Sequence, residues 1–198
     1  MMNPEKVGFV HVPKTASVSV QETVKGLCVG IPHVSEGKVT ARQFREEHPD
    51  GFVFAFVRNP FSRLLSAYLY MLKQRPYVHQ SVVEDGKKYA APYAGFRDFV
   101  LRGVGSGHVL EQVHCKPQVS WISWSDGRVL TDFLGKYEAL QADFDEVCRR
   151  LGWPFRKLPV TNWTLHKAYR EYYDGEMART VAKAYERDFE VGGYGTEL

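Results

Sequence analysis

The sequence predicts an α/β protein of three layers, a central and mostly parallel sheet flanked by helices. Two observations carry that expectation. Residues 6–12 and 52–57 are short runs of apolar, β-branched and aromatic residues that stop at Pro13 and at Arg58-Asn59-Pro60, as strands buried on both faces do. Each run is followed, after a few loop residues, by apolar positions at helical spacing, and two such strand, loop and helix units in succession favour a parallel sheet. A length of 198 residues suits one domain spanning 1–198, and no repeat, low-complexity tract or Ser/Gly linker marks a boundary within it.

The first strand, residues 6–12, reads KVGFVHV. Beyond Ser17 the apolar Val20, Val24, Leu27 and Cys28 recur at i, i+4, i+7 and i+8, one face of a helix that Gly30 and Pro32 close. A weaker helix is expected from Thr40 to His48, before the Pro49-Asp50-Gly51 turn, and the second strand covers 52–57. Pro60 stands where a first helical residue belongs, and Leu64, Leu65, Tyr68, Leu69 and Leu72 carry that helix to about Gln74. Residues 76–93 lose periodicity and gather Pro, Gly and Lys, so they are expected to form a mobile surface loop. A short helix follows at 94–102, a third strand-like segment at 130–137, and helices at 141–151 and 174–189.

Composition excludes several classes. With 44% hydrophobic and 25% charged residues the chain is neither disordered nor collagen-like nor a coiled coil. Lys and Arg number 26 against 23 Asp and Glu, and the resulting charge of +3 is too small to imply nucleic-acid binding by bulk electrostatics. The longest apolar runs fall far short of the roughly 18 residues that a membrane-spanning helix needs, so no membrane partner is expected. The first residues, MMNPEKVGFVHVPK, hold no apolar core of a secretory leader, which points to a cytoplasmic protein. Cys28, Cys115 and Cys148 are widely spaced, fit neither a disulfide framework nor a zinc site, and are expected to be reduced and buried. No metal is expected.

Ligands of parallel α/β sheets sit at the carboxyl ends of the strands, and both predicted strand ends are rich in anion-binding groups. Pro13-Lys14-Thr15-Ala16-Ser17-Val18-Ser19 joins the first strand to its helix. Free backbone N–H groups at a helix start, with a lysine and several hydroxyls beside them, make a cradle for phosphate or sulfate. The glycines of a Walker A loop are missing and only Lys-Thr is kept. A capped helix with a solvated lysine explains the same residues. At the second strand end Arg58 can meet a phosphate through two parallel N–H bonds, and Ser66 lies on the helix that follows. A carboxylate partner for Arg58 and a packing role for Ser66 are the plainer reading.

Together the two segments resemble a known family. VPKTASVS at 12–19 is similar to the 5'-phosphosulfate loop of the sulfotransferases that use 3'-phosphoadenosine 5'-phosphosulfate (PAPS). FVRNPFSRLLSAY at 56–68 is similar to their 3'-phosphate motif, with Arg58 and Ser66 at the family spacing. The chain most resembles the carbohydrate branch that includes the heparan sulfate 2-O-sulfotransferases, whose loop also reads PKTAS. HCKPQ at 114–118, GKYEALQADF at 135–144, and YREYYD and YERDFEVGGY near the end extend the likeness over almost the whole chain. Val18 stands where the family usually has Thr and His11 where the nearest branch has Arg, which implies a weaker hold on the nucleotide. The resemblance implies a P-loop-like fold and metal-free transfer of a sulfuryl group from PAPS to a hydroxyl of a small-molecule or carbohydrate acceptor. The nucleotide product is 3'-phosphoadenosine 5'-phosphate (PAP).

Carried onto this chain, the resemblance puts Lys14 on the oxygen that bridges the sulfuryl group and the 5'-phosphate. Thr15 and the backbone of Ala16, Ser17 and Val18 surround that phosphate with Ser19 beside them, Arg58 and Ser66 hold the 3'-phosphate, and Lys167 flanks the nucleotide. A neutral histidine suits removal of the acceptor proton. His33, in Pro32-His33-Val34-Ser35, resembles the catalytic histidine of the 2-O-sulfotransferases, and His114 is the second candidate. His79 and His108 read as structural, and a solvated helix start explains His166 and Lys167 equally well. Two other functions fit parts of the pattern: a P-loop-like nucleotide kinase, suggested by Lys14-Thr15 alone, and a catalytically silent PAP- or nucleotide-binding module that keeps Arg58 and Ser66.

Overall fold

The computed structural model describes residues 3–27, 39–72, 80–159 and 167–198. Its elements run β1 (Asn3–Val10), α1 (Ser17–Leu27), α2 (Ala41–Glu47), β2 (Gly51–Val57), α3 (Pro60–Met71), α4 (Gln80–Asp85) and α5 (Phe96–Asp98). They continue with α6 (Val119–Ile122), β3 (Phe133–Lys136), α7 (Leu140–Leu151), α8 (Gly175–Ala184) and α9 (Glu186–Gly192). The chain divides into two compact units, one of residues 1–58 and 118–163, the other of 59–117 and 164–198.

The first unit holds the sheet. Its order is β1-β2-β3 and both pairings are parallel, with Phe9 opposite Phe54, Val10 opposite Ala55, Phe56 opposite Gly135 and Val57 opposite Lys136. Alternation of side chains sorts the residues onto two faces. Val7, Phe9, Phe52, Phe54 and Phe56 pack in one cluster with Val20 and Val24 of α1 and Phe144, Val147 and Cys148 of α7. On the other face Phe44 of α2 lies flat over the backbone, where a Cβ at Gly8 would come within 2.7 Å of its ring and one at Gly51 within 2.8 Å. Helices therefore cover both faces, and every residue of β2 is buried. The expected three-layer α/β fold with a parallel sheet is the one observed.

Helix α2 starts where Thr40 predicts. The Thr40 hydroxyl accepts from the Gln43 N–H at 3.3 Å while the Gln43 side chain accepts from the Thr40 N–H at 2.8 Å, a capping box of the kind that contributes about 1 kcal/mol. Arg45, near the end of α2, donates to the carbonyls of Leu130 and Gly51 and pairs with Asp132, whose carboxylate also accepts the Val53 N–H at 2.7 Å.

The second unit is helical. Asn59 caps α3 by accepting from the N–H groups of Phe61 and Ser62, and Pro60 occupies the first helical position. Its core joins Phe61, Leu64, Tyr68 and Met71 of α3 to Phe99, Val104, Met177, Val181, Tyr185 and Phe189. Three buried polar groups tie it down: Arg63 donates to the Lys116 carbonyl at 2.9 Å, the Tyr173 hydroxyl to Phe61 at 2.8 Å, and the Tyr185 hydroxyl to Cys115 at 2.6 Å. Burial pushes both phenols well above their usual titration range, so they stay neutral donors at any physiological pH.

Two expectations fail here. Residues 80–90, expected in a surface loop, form α4 and a π-helical turn at Gly86–Ala90, and they bury Val82, Tyr89 and Ala90. Gly86 reads as loop punctuation in the sequence, but a Cβ there would lie 2.3 Å from the Met71 carbonyl oxygen, so its smallness serves close packing. The helix expected over 174–189 is broken into α8 and α9 at Tyr185, which leaves helical geometry with φ −118° and ψ 25° and whose buried phenol donates to the Cys115 carbonyl.

Candidate active site

The chain leaves the carboxyl ends of the three parallel strands at His11, Arg58 and Tyr137, all in the first unit. The segment after β1 is held by short-range bonds: the Val12 N–H donates to the Val10 carbonyl at 3.0 Å, and the buried Thr15 hydroxyl donates to the Val12 carbonyl at 2.9 Å. Lys14 and Ala16, on either side of Thr15, have φ of 70° and 60°. They are the two non-glycine residues with positive φ among those described. Left-handed backbone costs a residue with a Cβ about 1–2 kcal/mol, and such strain persists where the surroundings enforce it. Left-handed residues set among right-handed ones turn successive N–H groups toward one point, the backbone form of an anion nest. Glycine is the residue that usually takes such backbone, and here Lys14 and Ala16 take it instead.

Ser17 opens α1, and the Val20 N–H makes the first helical bond back to the Ala16 carbonyl at 3.3 Å. Ser17 and Ser19 are buried and Val18 is exposed. The strain at Ala16 is testable by thermal unfolding. Glycine normally lowers stability by about 0.5–1 kcal/mol relative to alanine, but Ala16→Gly is expected to leave Tm unchanged or raise it, and Ala16→Val to lower it by several degrees. A clear loss of Tm in the glycine variant would contradict the left-handed assignment.

Arg58 is buried at 7% exposure, and its backbone is clamped. Its N–H donates to the Gln118 Oε1 at 2.9 Å, and the Gln118 Nε2 donates to its carbonyl at 2.9 Å. The guanidinium lies over the Tyr137 ring, 4.0 Å from the centroid, and donates from Nη1 to the Lys14 carbonyl at 3.3 Å. The structure therefore brings together two of the residues singled out in the sequence, Lys14 and Arg58. It also adds Gln118 and Tyr137. Both lie in segments that carry the family likeness, but nothing in spacing or composition marks a glutamine that bonds backbone or a tyrosine that stacks on arginine.

Ser66 is half-buried on α3, in the second unit. Lys167, also in that unit, is exposed and pairs with Glu171 at 3.5 Å. His114 sits edge-on to Tyr70, with ring centroids 4.9 Å apart, and its N–H donates to the Gln112 side chain at 2.6 Å. His108 accepts or donates a bond with the Tyr93 hydroxyl at 3.0 Å. His33 and His79 lie outside the described residues, as do Cys28 and His166. Cys115 and Cys148 are buried free thiols, as expected.

His11 stacks on Phe9, and its Nδ1 is buried with no hydrogen-bond partner. Burial lowers its pKa from the usual 6.5. A depressed folded-state value means that the unfolded chain binds the proton first. Stability is therefore full above pH 6.5 and declines as pH falls from there through the folded-state value. Denaturant unfolding at roughly pH 7.5 and roughly pH 5.5 should show that decline, smaller in His11→Gln. An identical decline in the variant would assign it to other groups.

Among the described residues no group of three or more His, Cys, Asp or Glu side chains is placed to hold a metal ion. None of the described helices is long and apolar enough to cross a membrane.

A parallel sheet with helices on both faces, and a strained loop between its first strand and first helix, define a P-loop-like protein. The chain belongs to the Sulfotransferase family, whose model matches residues 1–195. It is therefore a transferase of the sulfuryl group. No curated protein matches it significantly.

Proposed function

We propose that the protein is a cytoplasmic O-sulfotransferase that takes its sulfuryl group from PAPS, transfers it to a hydroxyl of a small or sugar-containing acceptor, and releases PAP. What supports this most is the contact of Arg58 with the carbonyl of Lys14, in a loop bent by two left-handed residues at the carboxyl ends of parallel strands. A donor with phosphates at both its 5' and 3' positions asks for two anion sites close together. The PKTAS likeness to the carbohydrate branch favours a sugar-bearing acceptor.

The donor supplies a sulfuryl group already activated on a phosphate. In the transfer the acceptor oxygen bonds to sulfur while the bond from sulfur to the bridging oxygen breaks, and the electron pair of that bond stays on the phosphate. Such chemistry relies on positioning and on charge. Lys14 neutralises the charge that grows on the bridging oxygen. The N–H groups of Thr15, Ala16, Ser17 and Val18, with Ser19 near, take the 5'-phosphate at the start of α1. Arg58 and Ser66 take the 3'-phosphate, and Lys167 flanks the nucleotide. His33 accepts the acceptor's proton, with His114 as the second candidate.

The direct experiment is transfer of labelled sulfate from PAPS to a panel of hydroxylated and sugar-containing acceptors, with and without a chelator. Labelled product formed equally in both is expected. No transfer to any acceptor, with PAP still bound, would favour a silent binding module, and a need for ATP and magnesium a kinase. Because a base must be neutral to work, the rate should rise with pH through the range in which a histidine gives up its proton. His33→Ala should flatten that limb and His114→Ala keep it. The opposite result exchanges their roles.

A further inference from the structure

We infer that Gln118 is a positioning residue for Arg58, and that through it the protein tells a nucleotide with a 3'-phosphate from one without. The inference rests on the PAPS reading above. Gln118 is fully buried at the start of α6, immediately after Pro117. Its side-chain amide pairs with the peptide of Arg58 as a neighbouring strand would, accepting the N–H and donating to the carbonyl, both at 2.9 Å. β2 ends at Val57, so this pairing carries the hydrogen bonding of the strand one residue further, to the residue whose side chain leaves toward the loop. The guanidinium is then fixed from two other sides, by the Tyr137 ring at 4.0 Å and the Lys14 carbonyl at 3.3 Å. A two-point bond to phosphate tolerates little displacement, and an error of about 1 Å in placing such a group can cost two orders of magnitude. An arginine on an unclamped strand end would keep its charge but lose its aim.

Only one orientation of the Gln118 amide satisfies both bonds, so its replacement has a specific consequence. Gln118→Met keeps volume and removes both bonds, and Gln118→Asn keeps the amide but shortens its reach. PAP and adenosine 5'-monophosphate differ by the 3'-phosphate alone, and the ratio of their affinities reads its recognition. Calorimetry with both ligands on the full chain should show the wild type preferring PAP. In Gln118→Met that preference should fall at least tenfold, with affinity for adenosine 5'-monophosphate within about threefold of wild type. Gln118→Asn should fall in the same direction by less, and it serves as the readout if the methionine variant does not fold. Equal weakening of both ligands, or an unchanged ratio, overturns the inference and leaves Gln118 as a packing residue. A wild type without preference for PAP overturns the PAPS reading itself, and the inference with it.

Discussion

Lys14→Ala is expected to lower kcat by about a hundredfold or more, with a smaller effect on PAP affinity. On the proposed reading the reason is where charge develops: a lysine beside the bridging oxygen would meet little extra charge in the ground state and a growing one as the bond to sulfur breaks, so its contribution would be made mainly in the transition state. Removing the side chain should leave the fold intact, because Lys14 is only half-buried. Its backbone matters separately. With φ at 70°, the residue offers its carbonyl to Arg58, and Lys14→Gly relaxes that strain while removing the same ammonium group. The two variants should lose kcat alike, as measured under saturating donor. Turnover within a few-fold of wild type in both would reduce Lys14 to a structural residue.

Arg58→Ala should weaken PAP binding by about 2–4 kcal/mol, or roughly 30- to 700-fold, the usual loss for a charge-assisted contact in a buried setting. Adenosine 5'-phosphosulfate lacks the 3'-phosphate, and its binding should change far less. It should not be wholly indifferent, because the variant also loses the bond to the Lys14 carbonyl, worth about 1 kcal/mol for a neutral acceptor. A loss of up to about fivefold for that ligand is therefore consistent with the geometry. Equal losses for both ligands in calorimetry would count against the 3'-phosphate assignment.

The parts of the fold that were legible in the sequence are those where one local pattern decides. β2 reads directly from Gly51–Val57 because a strand buried on both faces admits no polar side chain. Helix α2 reads from Thr40 and the Pro49-Asp50-Gly51 turn, and α3 from Pro60, because helix ends are local chemistry; the Gln43 half of the capping box and the Asn59 cap appear only in the structure. Residues 80–90 were hidden by Gly86, Lys87 and Lys88, since the demand for a glycine comes from the distant Met71 carbonyl. The break falls at Tyr185, whose hydroxyl bonds the Cys115 carbonyl seventy residues away along the chain, a contact no local pattern announces. Of the candidate site, Lys14 and Arg58 stand out in the sequence by residue type and by their placement at strand ends, and the structure brings the two together. The left-handed turns at Lys14 and Ala16 do not stand out, because lysine and alanine do not advertise positive φ as glycine does. Gln118 and Tyr137 act on Arg58 across the sheet's end, and only the assembled strands bring them there.

The most direct test of the site is a crystal structure of the protein with PAP. The 5'-phosphate is predicted to lie against the N–H groups of residues 15–18 at the start of α1, and the 3'-phosphate to take two N–H groups of Arg58 while its guanidinium stays on the Tyr137 ring. PAP bound elsewhere, or bound with its 5'-phosphate away from the Lys14 loop, would contradict the assignment of this strand end as the sulfuryl-transfer site.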